Sequence, residues 1–293
     1  HPVAHSFPTR RSSDLIQKSS VNPEKILGIG IAAAGYVNKH TGVIEYSPNF
    51  NWFHSNIKEP LEEKFGVPVK VGNVSRVMAM GELLYGLGNK FQNFIFVNVG
   101  YGIGSGIIIS GRPYDGFDGF SGEIGHTKIA CDTRGERVCA CGKINCLECY
   151  ASGRGIAETV LKRYNENPDS ILRVLCNGNK ELISAEMVSK AAKSGDAFSM
   201  SVFLEAAEIL GQAIANMANI LNPEGIILGG RVLKSGSFYL DKLTQVFNQE
   251  YLINADRKIP IHVSENIERG AAIGAVSLIL KEVLDLSELN SDQ

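Results

Sequence analysis

The sequence predicts an α/β protein in two lobes, with one loop of the second lobe stiffened by a structural metal. Three observations carry that expectation. Strand-like and helix-like stretches alternate from Lys25 onward. A chain of 293 residues that is 44% hydrophobic has apolar material for more than one core. His126, Cys139, Cys141 and Cys146 lie at the spacing of a closed four-ligand site.

The elements follow in order. Ile26 to Ala32 is apolar enough for a buried strand, and Gly42 to Tyr46 is a short partner beyond a turn. Pro48, Asn49, Asn51 and Trp52 mark a loop, followed by a helix over Ile57 to Phe65, a strand over Val67 to Val71 and a helix over Ser75 to Tyr85. Phe94 to Val99 is an unbroken apolar strand of the kind found in a covered sheet. Gly100, Gly102, Gly104 and Gly106 then precede the β-rich Ile107 to Ser110. A tight hairpin explains these glycines better than a phosphate loop, because no helix opens after them and no Lys-Ser/Thr pair follows. Helices are expected over Cys149 to Asn165, Glu181 to Lys193 and Asp196 to Leu221, the last capped by Asp196 and stopped by Asn222-Pro223. Gly225 to Leu228 reads as a strand ending at Gly229-Gly230, where bare backbone could lie against a flat ligand such as a purine or simply turn toward a helix. The apolar stripe from Ala271 to Leu280 is a terminal helix.

Cys131, Cys149 and Cys176 fall outside the four-ligand set and read as small buried hydrophobes. The other three thiols sit within eight residues with Gly142 to turn the chain, and with His126 they offer one nitrogen and three sulfurs. Such a set favours a closed structural zinc over a catalytic one, and over disulfides in a chain of this size. Glu123 and Glu148 flank it as carboxylates that the metal would pin without binding. A net charge of −2 argues against a nucleic-acid surface within these residues. No apolar run is read as a membrane span, which implies a cytoplasmic protein. His40, His54 and His262 are isolated and read as surface or packing residues.

Gly-Glu-x-Gly-His at 122–126, Cys-x-Cys-Gly-x-x-x-Cys-x-Glu at 139–148, and Asn-Pro-Glu before Gly229-Gly230 together resemble the ROK family of bacterial sugar kinases and sugar-responsive repressors. Gly28, Gly30 and Gly35 resemble a further glycine turn of that family, and Pro48, Asn49 and Trp52 its sugar-side loop. The resemblance implies a two-lobed actin-like ATPase or ribonuclease-H-like fold. It assigns sugar contacts to Asn49, Asn73, Glu123, His126 and Glu148, with His126 also a zinc ligand, and it marks Gly100, Gly102, Gly104, Gly229 and Gly230 as remnants of nucleotide loops. It divides the chain into a tail over residues 1–15, a partial first lobe over 16–92, a second lobe over 93–268 and a terminal helix over 269–293 that packs back on the first lobe. Residues 7–15 resemble translated sequencing-adapter read-through, so the native frame is expected to enter near Ile16.

Departures from the family pattern shape the functional expectation. Sugar kinases of the family carry Asn-Asp where this chain has Asn73-Val74, and that Asp is the general base. Valine has no acid-base chemistry, and positioned proton transfer contributes about two to four orders of magnitude in rate. Tyr101 stands where the kinases have a threonine between two glycines, and the Asp-x-Gly-x-Thr phosphate element is expected upstream of this sequence. The resemblance therefore implies no catalytic residue here and a sugar-sensing part of a repressor. It implies a homodimer or homotetramer that contacts DNA through a helix-turn-helix domain preceding Ile16. A hexose kinase using ATP and Mg2+ is the alternative, and a catalytically dead sugar sensor a third reading.

Overall fold

The computed structural model describes residues 14–19, 21–48, 50–129, 135–252 and 258–283. The chain forms two units, one of residues 1–92, 106–122 and 269–293, the other of residues 93–105 and 123–268. Gly106–Gly122, assigned to the second lobe by the sequence, cluster with the first unit; Lys39 Nζ donates to the Gly116 carbonyl at 2.9 Å there.

In the first unit β1 (Ile29–Ala33) pairs in parallel with β5 (Val69–Asn73), Ile29 opposite Val69 and Ala33 opposite Asn73. Between them in sequence lie β2 (Tyr36–Val37), β3 (Ile44–Ser47) and β4 (Trp52–Ser55), an antiparallel sheet of three strands in that order. The loop expected around Trp52 is thus corrected to a strand. Its residues show no apolar alternation and both Asn51 and His54 have positive φ, so pairing with β3 specifies it: Tyr46 faces Phe53 with ring centroids 4.9 Å apart. Trp52 packs on the small core of Ala33, Val37, Ile44 and Ile57. α1 (Lys58–Phe65) buries Leu61 and ends on Gly66 in the left-handed region. α2 (Val74–Tyr85) starts directly after β5, with Asn73 as its N-cap.

The second unit holds most of a five-stranded sheet of order β10-β9-β6-β7-β8. β6 (Phe94–Val99) turns through Gly100-Tyr101-Gly102 into β7 (Ile103–Ile109), whose last residues pair with β8 (Arg112–Pro113) in the first unit. The hairpin expectation holds, with the Gly100 amide donating to the Gly102 carbonyl at 3.0 Å. Gly104 and Gly106 belong to β7 rather than to the turn. A side chain at Gly106 would meet the Ala79 Cβ at 2.4 Å, so glycine there permits close packing on α2.

The expected helix over Cys149 to Asn165 is two: α3 (Glu148–Ala151) and α4 (Gly153–Arg163), broken where Ser152 turns extended and caps the Gly155 amide. After the short α5 (Leu172–Leu175) come α6 (Ala185–Lys193) and α7 (Ala197–Leu221). β9 (Gly225–Gly229) runs parallel to β6, and α8 (Ser237–Glu250) leads toward β10 (Ile261–Val263), parallel to β9. Val97 and Leu228 of the sheet share one core with Phe203, Leu210, Tyr239 and Phe247 of the helices.

α7 corrects the reading that no apolar run approaches a membrane span. Its 25 residues are long and apolar enough to cross a bilayer, but Val202, Ala206, Leu210 and Ile214 are buried in this core. Glu205 and Glu208 pair with Arg163 at 2.7 Å and Lys242 at 3.8 Å. The helix earns its hydropathy by packing on protein. The two carboxylate oxygens of Asp196 accept from the Ser199 amide at 2.7 Å and the Ile171 amide at 2.8 Å. Burial works against ionisation of Asp196, and these amide bonds reverse it, so its pKa lies below the usual range. Asp196→Ala is expected to cost about 2 kcal/mol, roughly 5 °C in Tm by calorimetry. The depressed folded pKa means that this stabilisation is whole above the unfolded value of about 3.9 and fades as pH falls through the folded one, so the wild-type advantage should shrink in acid.

The chain returns to the first unit in α9 (Gly270–Val283), which packs on α2 and β1. A Cβ at Gly274 would lie 2.0 Å from the Val77 carbonyl oxygen, so the α9–α2 approach depends on that missing side chain.

Candidate metal centre and carboxylate pocket

A short antiparallel loop carries the cysteines. Lys128 bridges to Cys146 and Val138 to Ile144, and the Cys139 amide donates to Lys143 at 2.7 Å. Gly142, with φ of 84°, turns the chain between the second and third thiols. His126 arrives on the turn Ile124–His126, which lies so close to β7 that a Cβ at Gly125 would meet the Ile103 carbonyl oxygen at 2.1 Å.

The ligating atoms of His126, Cys139, Cys141 and Cys146 all lie within 4.8 Å of one another. His126 Nδ1 is 3.7 Å from Cys139 Sγ, and Cys141 Sγ is 3.8 Å from Cys146 Sγ. A tetrahedron with metal–sulfur bonds of about 2.3 Å and a metal–nitrogen bond of about 2.0 Å has S···S edges of about 3.8 Å and S···N edges of about 3.5 Å. The residues therefore fit one four-coordinate ion, which they would hold with no open position. Its contribution would be to lock the loop.

The protonation pattern shows what such an ion would displace. Hydrogen bonds from Cys149 and His126 hold the Cys139 thiol down to about 2, while burial and the neighbouring Cys139 push Cys146 up to about 12. The hydrogen bond to Cys139 raises His126. Cys149 hydrogen-bonds to Cys139 and its own thiol is raised by that bond and by burial. An ion binds thiolates, so its binding would release the thiol protons that remain.

An arginine that sequence reading missed anchors this loop. Arg137 is 7% exposed and lies 4.2 Å from the Tyr150 ring centroid. Its Nη1 donates to the Cys149 carbonyl at 2.8 Å, to Thr159 Oγ1 at 2.9 Å and to the Gly155 carbonyl at 3.3 Å. Burial lowers its pKa, though a guanidinium stays charged at any ordinary pH. Tyr150 closes the arrangement by donating to Gly135 or Asn145. The loop is thereby tied to α3 and α4 by a buried cation whose partners lie 12 to 22 residues away in sequence. No local pattern signals that.

Glu148 opens α3 two residues after the last ligand and is 9% exposed. Its Oε2 accepts from the Ile103 amide at 3.0 Å, and Arg154 Nη2 lies 3.4 Å from its Oε1. Burial raises its pKa, with the Ile103 amide, His126 and Arg154 opposing. Glu123 is half-buried, and its carbonyl accepts from the His126 amide at 3.0 Å, starting the turn that presents the imidazole. Glu123, His126 and Glu148 thus belong to one unit, with both carboxylates acting on His126 electrostatically.

The other expected site residues have separate placements. Asn49 lies outside the described residues. Asn73 caps α2, its Oδ1 accepting from Ser75 at 2.9 Å and Arg76 at 3.3 Å while Nδ2 donates to the Gly35 carbonyl at 2.9 Å. Val74 is the first residue of α2. A Cβ at Gly229 would meet the Phe96 ring at 2.5 Å, and at Gly230, with φ of 97°, it would meet the Val99 carbonyl oxygen at 2.3 Å, so packing accounts for both glycines. At Gly100 a Cβ would find nothing nearer than 3.9 Å.

The ROK family model matches residues 12–282. The xylose repressor of Caldicellulosiruptor bescii is 34% identical over 94% of this chain and 69% of its own length. The glucokinase of Halalkalibacterium halodurans is 38% identical over 76% of this chain and 66% of its own. The chain thus spans about two thirds of the length of these relatives. Among solved structures, a ROK family glucokinase from Streptomyces griseus, in complex with glucose and AMPPNP, superposes with a TM-score of 0.79 at 30% identity, covering 87% of this chain and 81% of that one. A ROK family transcriptional regulator, homologous to the Escherichia coli MLC protein, gives 0.79 at 27% identity over 97% and 70%. The α/β architecture is accordingly the two-lobed actin-like ATPase fold that these proteins share. On the sequence motif, the metal-ready loop and the match over nearly its whole length, the chain belongs to the ROK family.

Proposed function

We propose that this chain is the sugar-effector-binding part of a ROK-type transcriptional regulator, stiffened by a structural Zn2+ on His126, Cys139, Cys141 and Cys146. The observation that carries the reading is Val74. It sits at the first position of α2, immediately after the Asn73 cap, and offers no proton acceptor where a kinase of this family needs one. Carboxylate acceptors for sugar hydroxyls are nevertheless kept in the half-buried Glu123 and the buried Glu148, in the same unit as His126. A pocket with binding groups and no base suits sensing better than turnover.

In this reading the sugar binds Asn49, Asn73, Glu123, His126 and Glu148 and favours one of two arrangements of a cytoplasmic homodimer or homotetramer, which it can do only by binding the two unequally. DNA is contacted by a helix-turn-helix domain encoded outside these 293 residues. Relatives that carry the name xylose repressor and relatives that carry the name glucokinase both match, so the alternative is a hexose kinase using ATP and Mg2+. Calorimetric titration with D-xylose, D-glucose and N-acetylated hexosamines tests the reading. Saturable one-to-one binding of one of them, weakened about 10-fold or more in Glu148→Gln, is expected; absence of binding across the panel by the zinc-loaded protein overturns it.

A further inference from the structure

We propose that Arg154 is the positioning residue for the Glu148 carboxylate, and that it joins this carboxylate and the Gly100–Gly102 turn into one hydrogen-bonded body. This rests on the sugar-binding reading of Glu148. Four contacts place it. Arg154 Nη2 lies 3.4 Å from Glu148 Oε1. The other oxygen, Oε2, accepts from the Ile103 amide at 3.0 Å. The Arg154 amide donates back to the Tyr101 carbonyl at 3.2 Å, and the neighbouring Gly153 amide to the Gly100 carbonyl at 2.8 Å. Arg154 Nε also lies 3.8 Å from Glu158 Oε1, so the guanidinium is held from its far side.

The arrangement leaves little latitude. A Cβ at Gly102 would fall 2.2 Å from Glu148 Oε2, so the carboxylate can lie against the turn only because residue 102 has no side chain. Glu148 and Arg154 side chains are 11% and 19% exposed, so their pairing is little screened. Each carboxylate oxygen has a fixed donor and keeps a further lone pair for a hydroxyl. A buried acceptor held by two protein donors is the preorganised group that sugar recognition requires, because little remains to be ordered on binding.

The consequence is coupling. Moving the turn moves the acceptor, and occupying the acceptor steadies the turn. Partners that orient metal-ligating groups contribute about 10- to 100-fold in affinity, and the same order is expected for an oriented sugar acceptor.

The test uses Arg154→Gln, Arg154→Lys, Glu148→Gln and the Arg154→Gln/Glu148→Gln double variant in the zinc-loaded chain. Sugar affinity is read by calorimetry with whichever aldose the wild type binds, and amide exchange is read over residues 100–104. The expected result is a loss of at least 10-fold in affinity for Arg154→Gln, partial recovery in Arg154→Lys, and a double variant no weaker than Glu148→Gln alone. Exchange in the turn should quicken at least 10-fold in Arg154→Gln with metal content unchanged. Additive losses, or affinity unaltered in Arg154→Gln, overturn the positioning role. If the wild type binds no sugar, the functional reading of Glu148 fails, and the exchange data still decide: unaltered exchange over 100–104 overturns the coupling as well.

Discussion

Cys146→Ser should strip the bound metal from the protein and unlock the loop that carries His126. Cys146 is fully buried and 3.8 Å from Cys141, one of four donors that cluster among the described residues. Structural zinc contributes about 10–16 kcal/mol of apparent binding energy in small peptides that have no other core. Here Leu147, Cys149, Tyr150 and Ala151 beside the loop are anchored in a large apolar core, so the variant is expected to fold. The loss should reach about 3 kcal/mol or more, roughly 10 °C in Tm. Elemental analysis should give about one zinc per wild-type chain and none in the variant. Cys176→Ser is the control: that thiol lies 3.4 Å from the Tyr164 hydroxyl, outside the cluster, and its variant should keep the metal. A Cys146→Ser protein with full metal content would remove the cluster from the account.

Val74→Asp should fold normally and still yield no sugar phosphate. Residue 74 is the first of α2, where the helix dipole and unpaired amides favour a carboxylate by about 0.3–1 kcal/mol, so the substitution is mild. A base restored to an intact phosphotransfer site would raise turnover by about two to four orders of magnitude. A sensor has no such site to complete, and its sugar affinity should change far less than the turnover of a kinase would. A coupled ATP assay on wild type and variant separates the readings. A gain of about 100-fold or more in Val74→Asp would identify the chain as a kinase with an altered base.

How much of this was legible in the sequence depends on how local the cause was. Phe94–Val99 and Ala197–Leu221 were readable because an apolar run and an Asp196 cap are written in consecutive residues. The grouping of His126, Cys139, Cys141 and Cys146 was readable because metal spacing is itself a sequence pattern. Trp52–Ser55 was not, since its strand character comes from pairing with Tyr46 and Ser47. Arg137 and Arg154 were missed for a related reason. Neither stands in a motif, and each takes its role from carbonyls and carboxylates that only the fold brings near. Gly229 and Gly230 show the converse, a suggestive pair that packing against Phe96 and Val99 explains.

A ROK chain with Val74 in place of a base is expected to bind sugar without phosphorylating it. Phosphorus NMR of the zinc-loaded protein with its bound aldose, ATP and Mg2+ tests that most directly. Sugar should bind, as seen by calorimetry on the same sample, and no sugar-phosphate resonance should grow in; a resonance that accumulates with time and vanishes in Glu148→Gln would identify a kinase instead.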